Sequence, residues 1–217
     1  MSLWQSSIRV GVSGVTVARQ VQSYFDKVAT GYQQSSQNPI WGGVRRREQR
    51  AFMGLVGDVR GRDVMELGCG AGFYTRLLLS EGASHVHAID FSQKMLDELP
   101  TDGVTPIHGD AAAVDPGRKF AIMVSAGMLE FVPDPVAVLR NAARFADAGA
   151  TLTILYPTNG LLGRAYRRFH KGHGFAIRLF DERIVRDMAG RTGWTVARVV
   201  GAGPYSGCAQ LRFGGAA

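Results

Sequence analysis

Val64-Met65-Glu66-Leu67-Gly68-Cys69-Gly70-Ala71-Gly72-Phe73 decides the fold of this chain. An apolar strand signal runs into alternating glycines, and a helix signal follows from Phe73 to Ser80. A second apolar run, His85-Val86-His87-Ala88-Ile89-Asp90, ends in a carboxylate. The two runs predict a strand–helix–strand unit with a glycine-rich first turn. Glycine there allows positive φ and close approach of a ligand to the backbone. The amides at the helix start favour an anionic group. A merely tight turn would need the same glycines.

Glu66 narrows the reading. A carboxylate at the end of an apolar strand is costly to bury unpaired. It therefore faces a ligand ammonium, ordered water or a structural salt bridge. Asp90, 22 residues after Gly68, can accept hydrogen bonds from a ribose diol. The spacing Gly68-x-Gly70-x-Gly72 fails the dinucleotide pattern, which needs Gly-x-Gly-x-x-Gly. No triphosphate-binding glycine-lysine loop occurs either. A nucleoside-containing ligand of another kind is implied.

Working outward, Ser13 to Ala29 reads as a helix, with Val17, Val21, Tyr24, Phe25 and Val28 on one face. Gln33 to Asn38 reads as a loop, and a basic helix follows the glycines after Trp41. Strands are predicted at Asp63–Leu67, Val86–Ile89, Val104–His108, Phe120–Val124, Ala150–Tyr156, Trp194–Val200 and Cys208–Phe213. Helices are predicted at Ser92–Glu98, Pro135–Phe145 and Asp181–Ala189. Alternation of strand and helix implies a mostly parallel sheet covered on both faces. The last two strands lack a helix between them, so that end of the sheet is expected to be antiparallel. One domain over residues 1–217 is expected, with an N-terminal helical cover at 13–57 and an insertion at 157–180.

These motifs resemble the class I S-adenosylmethionine-dependent methyltransferases, of the kind that act on small molecules. The resemblance implies an α/β, Rossmann-like three-layer sandwich whose seven-stranded, mostly parallel sheet has an antiparallel last strand. It implies S-adenosyl-L-methionine as cofactor and S-adenosyl-L-homocysteine as product. Gly68, Cys69, Gly70 and Gly72 would line the methionine end, with Glu66 holding its amino group. Asp90 would bind the ribose and Phe91 would pack near the adenine. Asp110 and Ala111 would contact the adenine edge, and Ser125 opens the segment under the cofactor. Tyr24 and Tyr32 would close over the cofactor, Tyr32 and Trp41 also walling the acceptor pocket. Where many members carry histidine, this chain has Phe131.

The acceptor region is expected in residues 157–180, which hold Arg164, Arg167, Arg168, Lys171 and Arg178 and no acidic residue. Tyr166, His170 and His173 lie there too. His173 and His170 are the candidates for a base or orienting group. Solvated helix positions explain both equally well. No Asp, Glu or Cys completes a metal set with them.

The chain has 217 residues, a net charge of +7, and arginine as 21 of its 25 basic residues. Such a balance reads first as a solvated basic surface, with attraction to an anionic small-molecule acceptor the alternative. The arginines are scattered, with no interleaved aromatics, so nucleic acid is not the expected partner. Cys69 and Cys208 are expected as reduced thiols in a cytoplasmic protein. Neither a bilayer-spanning run nor a secretory signal is read. A monomer or homodimer is expected. The rivals are methylation of RNA or protein, and a non-catalytic protein that keeps the fold as a partner or scaffold.

Overall fold

In a computed structural model, residues 39–172 and 176–214 are described. Among them, one seven-stranded sheet runs in the order β3-β2-β1-β4-β5-β7-β6. The strands are β1 (Asp63–Leu67), β2 (His85–Asp90), β3 (Val104–His108), β4 (Phe120–Ala126), β5 (Ala146–Pro157), β6 (Trp194–Gly201) and β7 (Ser206–Phe213). The helices are α1 (Pro39–Val56), α2 (Phe73–Ser80), α3 (Gln93–Leu96), α4 (Pro135–Arg144), α5 (Leu161–Gly172) and α6 (Glu182–Gly190). β1 to β5 pair in parallel, and β7 is antiparallel to both β5 and β6. The expected reversal is therefore confined to β7, and β6 runs the same way as β5.

Strand alternation builds the two faces. In β1, Val64 belongs to one core layer, whereas Met65 and Leu67 belong to the other. The first layer seats α1 and α2 through Phe52, Leu55, Tyr74 and Leu78. The second seats α4 and α6 through Val136, Leu139, Val185 and Met188. Trp194 is buried there, and its indole N–H donates to the Leu139 carbonyl at 3.0 Å. Side-chain caps begin three of the helices: Ser92 for α3, Asp134 for α4 and Asp181 for α6.

Several boundaries differ from expectation. α1 already begins at Pro39, so Trp41-Gly42-Gly43 is helix and not loop. Proline suits a first helical turn, and packing of Phe52, Leu55 and Val56 outweighs two glycines. α3 is shorter than expected because Ser92 and Asp97 are its caps. β5 starts early, at Ala146, with a register shift against β4 between Phe120 and Ile122. The segment 157–180 contains an ordered helix, α5.

The strand order reverses direction between β1 and β4. At such a switch point the crossovers diverge and leave a crevice at the carboxyl ends of the strands. Gly68 and Gly127 stand at that point.

Candidate active site

The glycine turn leaves β1 under a loop that follows β4. The amides of Gly68 and Cys69 both donate to the Ile89 carbonyl of β2, at 2.8 and 3.0 Å. Gly68 has φ of 72°, and a Cβ on it would lie 2.3 Å from Met128 Cγ. A Cβ on Gly72 would meet Leu99 at 2.6 Å and Arg76 at 2.9 Å. Gly70 differs. Its φ is 52°, and a Cβ there would have no heavy atom within 4 Å. At Gly70 the left-handed backbone alone calls for glycine, and the space above it is open. Gly68 and Gly72 answer to protein packing.

Two carboxylates flank this turn. Glu66 is buried, and the Thr75 hydroxyl donates to its Oε2 at 2.6 Å. The structural partner is therefore a hydroxyl on α2, with no salt bridge. Burial raises the Glu66 pKa to about 8, against the Thr75 bond, and the Asp90 charge adds to the rise. Asp90 takes the Gly70 amide on one oxygen and the Ser92 amide on the other, both at 2.9 Å. It ties the turn to the start of α3 besides facing the crevice. Burial raises its pKa while those amides oppose the rise. Cys69 is buried and free, and burial pushes its thiol far above the ordinary range. Cys208 is also free and buried.

The expected adenine side is assembled from three segments. Phe91 is half-buried at the end of β2, and His108 Nε2 donates to its carbonyl at 3.0 Å. His108 is therefore a positioning group. Asp110 is exposed, and its Oδ1 accepts the Ala112 amide at 2.8 Å. Ala111 is buried, and Asn141 of α4 donates to the carbonyls of Ala111 and Val114 at 3.1 and 2.8 Å. Asn141 was not foreseen, because a lone asparagine in a helix carries no motif.

On the other side of the turn, β4 ends with Ser125 and Ala126, and the loop after it carries Gly127, Met128, Glu130 and Phe131. Ser125 is 1% exposed, and its hydroxyl has no hydrogen-bond partner among the described residues. Glu130 is buried, with Oε2 likewise unpartnered. Burial raises its pKa to about 8, and the charge of Glu48 adds to this. Glu48, on α1, accepts the Ser206 hydroxyl at 2.6 Å; burial raises its pKa too, opposed by Ser206 and Arg45. The signal for Glu130 was available: a carboxylate inside the apolar run Met128-Leu129-Glu130-Phe131-Val132.

α5 contributes Tyr166 and His170. Tyr166 stacks on Tyr205 at 5.1 Å, and its edge meets His170 at 4.5 Å. His170 is buried and also packs edge-on against Phe131 at 5.8 Å. Arg164, Arg167, Arg168 and Lys171 are exposed and do not converge on this edge. Arg178 turns inward, donating to the carbonyls of Val132 and Pro133. Tyr24, Tyr32 and His173 lie outside the described residues, as does the side chain of Trp41. Among the described residues no set of His, Cys, Asp or Glu suits a metal ion.

A cleft of about 440 Å3 opens farther along, between Tyr156, Phe180, Val200 and Gly207. Its two carboxylates have structural roles: Asp181 caps α6 and Glu182 pairs with Arg186.

Residues 64–149 match the family model described as a methyltransferase domain. Across these residues the chain is similar to a methyltransferase domain. Among curated proteins, the ubiquinone biosynthesis O-methyltransferase of Nitrosomonas europaea is 31% identical over 103 residues, 44% of this chain and 43% of that protein. The ribosomal RNA small subunit methyltransferase A of Paracoccus denitrificans is 44% identical over 67 residues, 28% of this chain and 24% of that protein. The chain thus spans less than half the length of the curated relatives it matches. Among solved structures, DhpI in complex with SAH superposes with a TM-score of 0.73 at 23% identity, covering 91% of this chain and 97% of DhpI. The magnesium protoporphyrin IX methyltransferase from Synechocystis PCC 6803 with bound SAH gives 0.70 at 21%, covering 90% and 99%. These likenesses extend the methyltransferase fold beyond residues 64–149.

Gly68→Ala is expected to destabilise the fold by roughly 2–4 kcal/mol, from left-handed strain plus collision with Met128. Gly70→Ala is expected to cost about 1–2 kcal/mol, from strain alone. Urea unfolding of both variants checks the order; equal losses would refute the packing role of Gly68.

Glu66 and Glu130 both have pKa values raised to about 8 in the folded chain. The folded state holds protons that the unfolded state releases above about pH 4.5. Their contribution is present below that pH and lost as pH rises through 8. Each group is expected to remove up to about 1.4 kcal/mol per pH unit across that window. His87, whose pKa burial lowers, works the opposite way. Glu66→Gln and Glu130→Gln therefore make the test: each is expected to flatten the fall in urea-unfolding stability between pH 5 and 8.

Proposed function

We propose that this chain is an S-adenosylmethionine-dependent methyltransferase acting on a small-molecule acceptor. The observation that carries the reading is Gly70, open to the crevice between Glu66 and Asp90 within a methyltransferase domain. The donor set fits the cofactor. Glu66 has one protein donor and a carboxyl held neutral by burial, which an ammonium would convert to an ion pair. Asp90 holds the turn with one oxygen and the start of α3 with the other, and retains lone pairs for a ribose diol. Phe91, Asp110 and Ala111 offer an apolar face, a carboxylate and a backbone edge for the adenine. Solved relatives of the same fold were determined with SAM or SAH bound.

When bound, the sulfonium supplies an already activated methyl group, so the protein's part is alignment and exclusion of water. The end of β4 and the loop that follows it, through Met128, form the floor beside Gly68. Glu130, Tyr166 and His170 lie on the acceptor side. The candidates to take a proton from an acceptor hydroxyl or amine are His170 and His173. The relatives named for ubiquinone and porphyrin methylation support a small organic acceptor. The outward turn of the α5 cations takes away the main support for an anionic one.

Calorimetry tests the cofactor reading. S-adenosylmethionine is expected to bind with release of up to one proton near pH 7, seen as a heat that varies with the buffer's ionisation enthalpy. Glu66→Gln is expected to abolish that release. Asp90→Ala is expected to weaken binding about ten-fold or more, matching loss of charge-assisted hydrogen bonds. A folded protein with no affinity for S-adenosylmethionine would refute the proposal.

A further inference from the structure

α5 has three faces. At 3.6 residues per turn, Gly163, Tyr166 and His170 share one side, and Gly163 and His170 are buried there. A Cβ on Gly163 would lie 1.8 Å from the Thr158 carbonyl oxygen, so the helix backbone rests directly on the chain that leaves β5. A second side carries Leu161, Leu162, Ala165 and Phe169. Leu161 is 85% exposed, Leu162 55% and Phe169 59%, and these are the exposed large apolar side chains among the described residues. The third side carries Arg164, Arg167, Arg168 and Lys171, all exposed. No carboxylate pairs with them among the described residues. Arg164 reaches only the Asn159 side-chain carbonyl, at 3.4 Å.

An apolar strip beside a cationic strip, on a helix of low mean hydropathy, is the chemistry of an interfacial helix. We propose that α5 docks the molecule on an anionic lipid surface. Leu161, Leu162 and Phe169 enter the boundary between headgroups and acyl chains, and the four cations meet lipid phosphates. No helix among the described residues is long and apolar enough to cross a membrane. Charge argues against other occupants. A second copy docked through the same face would bring four cations against four. Residues 1–38 carry Arg9, Arg19 and Lys27 against Asp26 alone, so they do not neutralise the strip. Nucleic acid would satisfy the cations and leave the leucines in water. The buried side of the same helix holds Tyr166 and His170. On the reading above, docking therefore places α5 between the lipid and the acceptor edge.

Sedimentation of the full chain with vesicles tests this. Binding is expected to vesicles of phosphatidylglycerol mixed with phosphatidylcholine, to fall as salt rises, and to be absent for phosphatidylcholine alone. Leu161→Glu with Leu162→Glu is expected to cut partitioning at least about ten-fold. Arg167→Ser and Lys171→Ser are each expected to cut it about five-fold. All four positions are exposed, so circular dichroism and S-adenosylmethionine affinity are expected to stay unchanged, which separates docking from the methyl-transfer reading. Absence of binding to anionic vesicles at low salt would overturn the proposal, as would binding that survives the double leucine variant. Dimerisation that the same variant abolishes, without vesicle binding, would reassign the face to self-association. Preferential retention of a short RNA duplex would reassign it to nucleic acid.

Discussion

The structure hangs on how the chain leaves β1. Gly68 and Cys69 hand their amides to the Ile89 carbonyl, and Met128 lies where a Gly68 side chain would be. That close approach draws the loop after β4 over the turn from β1. It places the two halves of the parallel sheet edge to edge at the point where the strand order reverses. Asp90 then fastens Gly70 from the neighbouring strand. Without a left-handed, side-chain-free residue at position 68, the crevice would be propped open by a collision.

Polar groups follow from this arrangement. A strand end that must serve a ligand cannot be wholly apolar, yet it sits against a packed core. Glu66 resolves the conflict with one hydroxyl partner and a neutral carboxyl. Glu130 and Glu48 show the same tension, since burial raises both pKa values and the charge of Glu48 adds to the rise at Glu130. Such burial is unfavourable for folding alone. It is the kind of local conflict expected where binding is served.

Much of the fold was legible because its signals are local. β1, β3 and α4 lie where period and capping put them, since an apolar run bounded by glycine or proline has few alternatives. Asp134 before Pro135 is a helix start that needs no tertiary help. Phe131 was legible as a departure from the family's histidine. Glu48 was not legible, because its partner Ser206 lies 158 residues away and no periodicity links them. Asn141 was hidden for the same reason, since its bonds go to a turn 27 and 30 residues earlier.

The sequence by itself determined the alternating architecture, the glycine turn and the place of two acids, Glu66 and Asp90, at the ends of adjacent strands. Those features depend on neighbours in the chain and on strand period. Only the tertiary structure decided which glycine faces the crevice and which faces Met128 or Leu99. Only it decided that the cations of residues 164–171 point outward while Tyr166 and His170 point in. The reason is geometric. A side chain's direction on a helix is set by the element beneath it, here the Thr158 carbonyl under Gly163, and composition cannot record that contact.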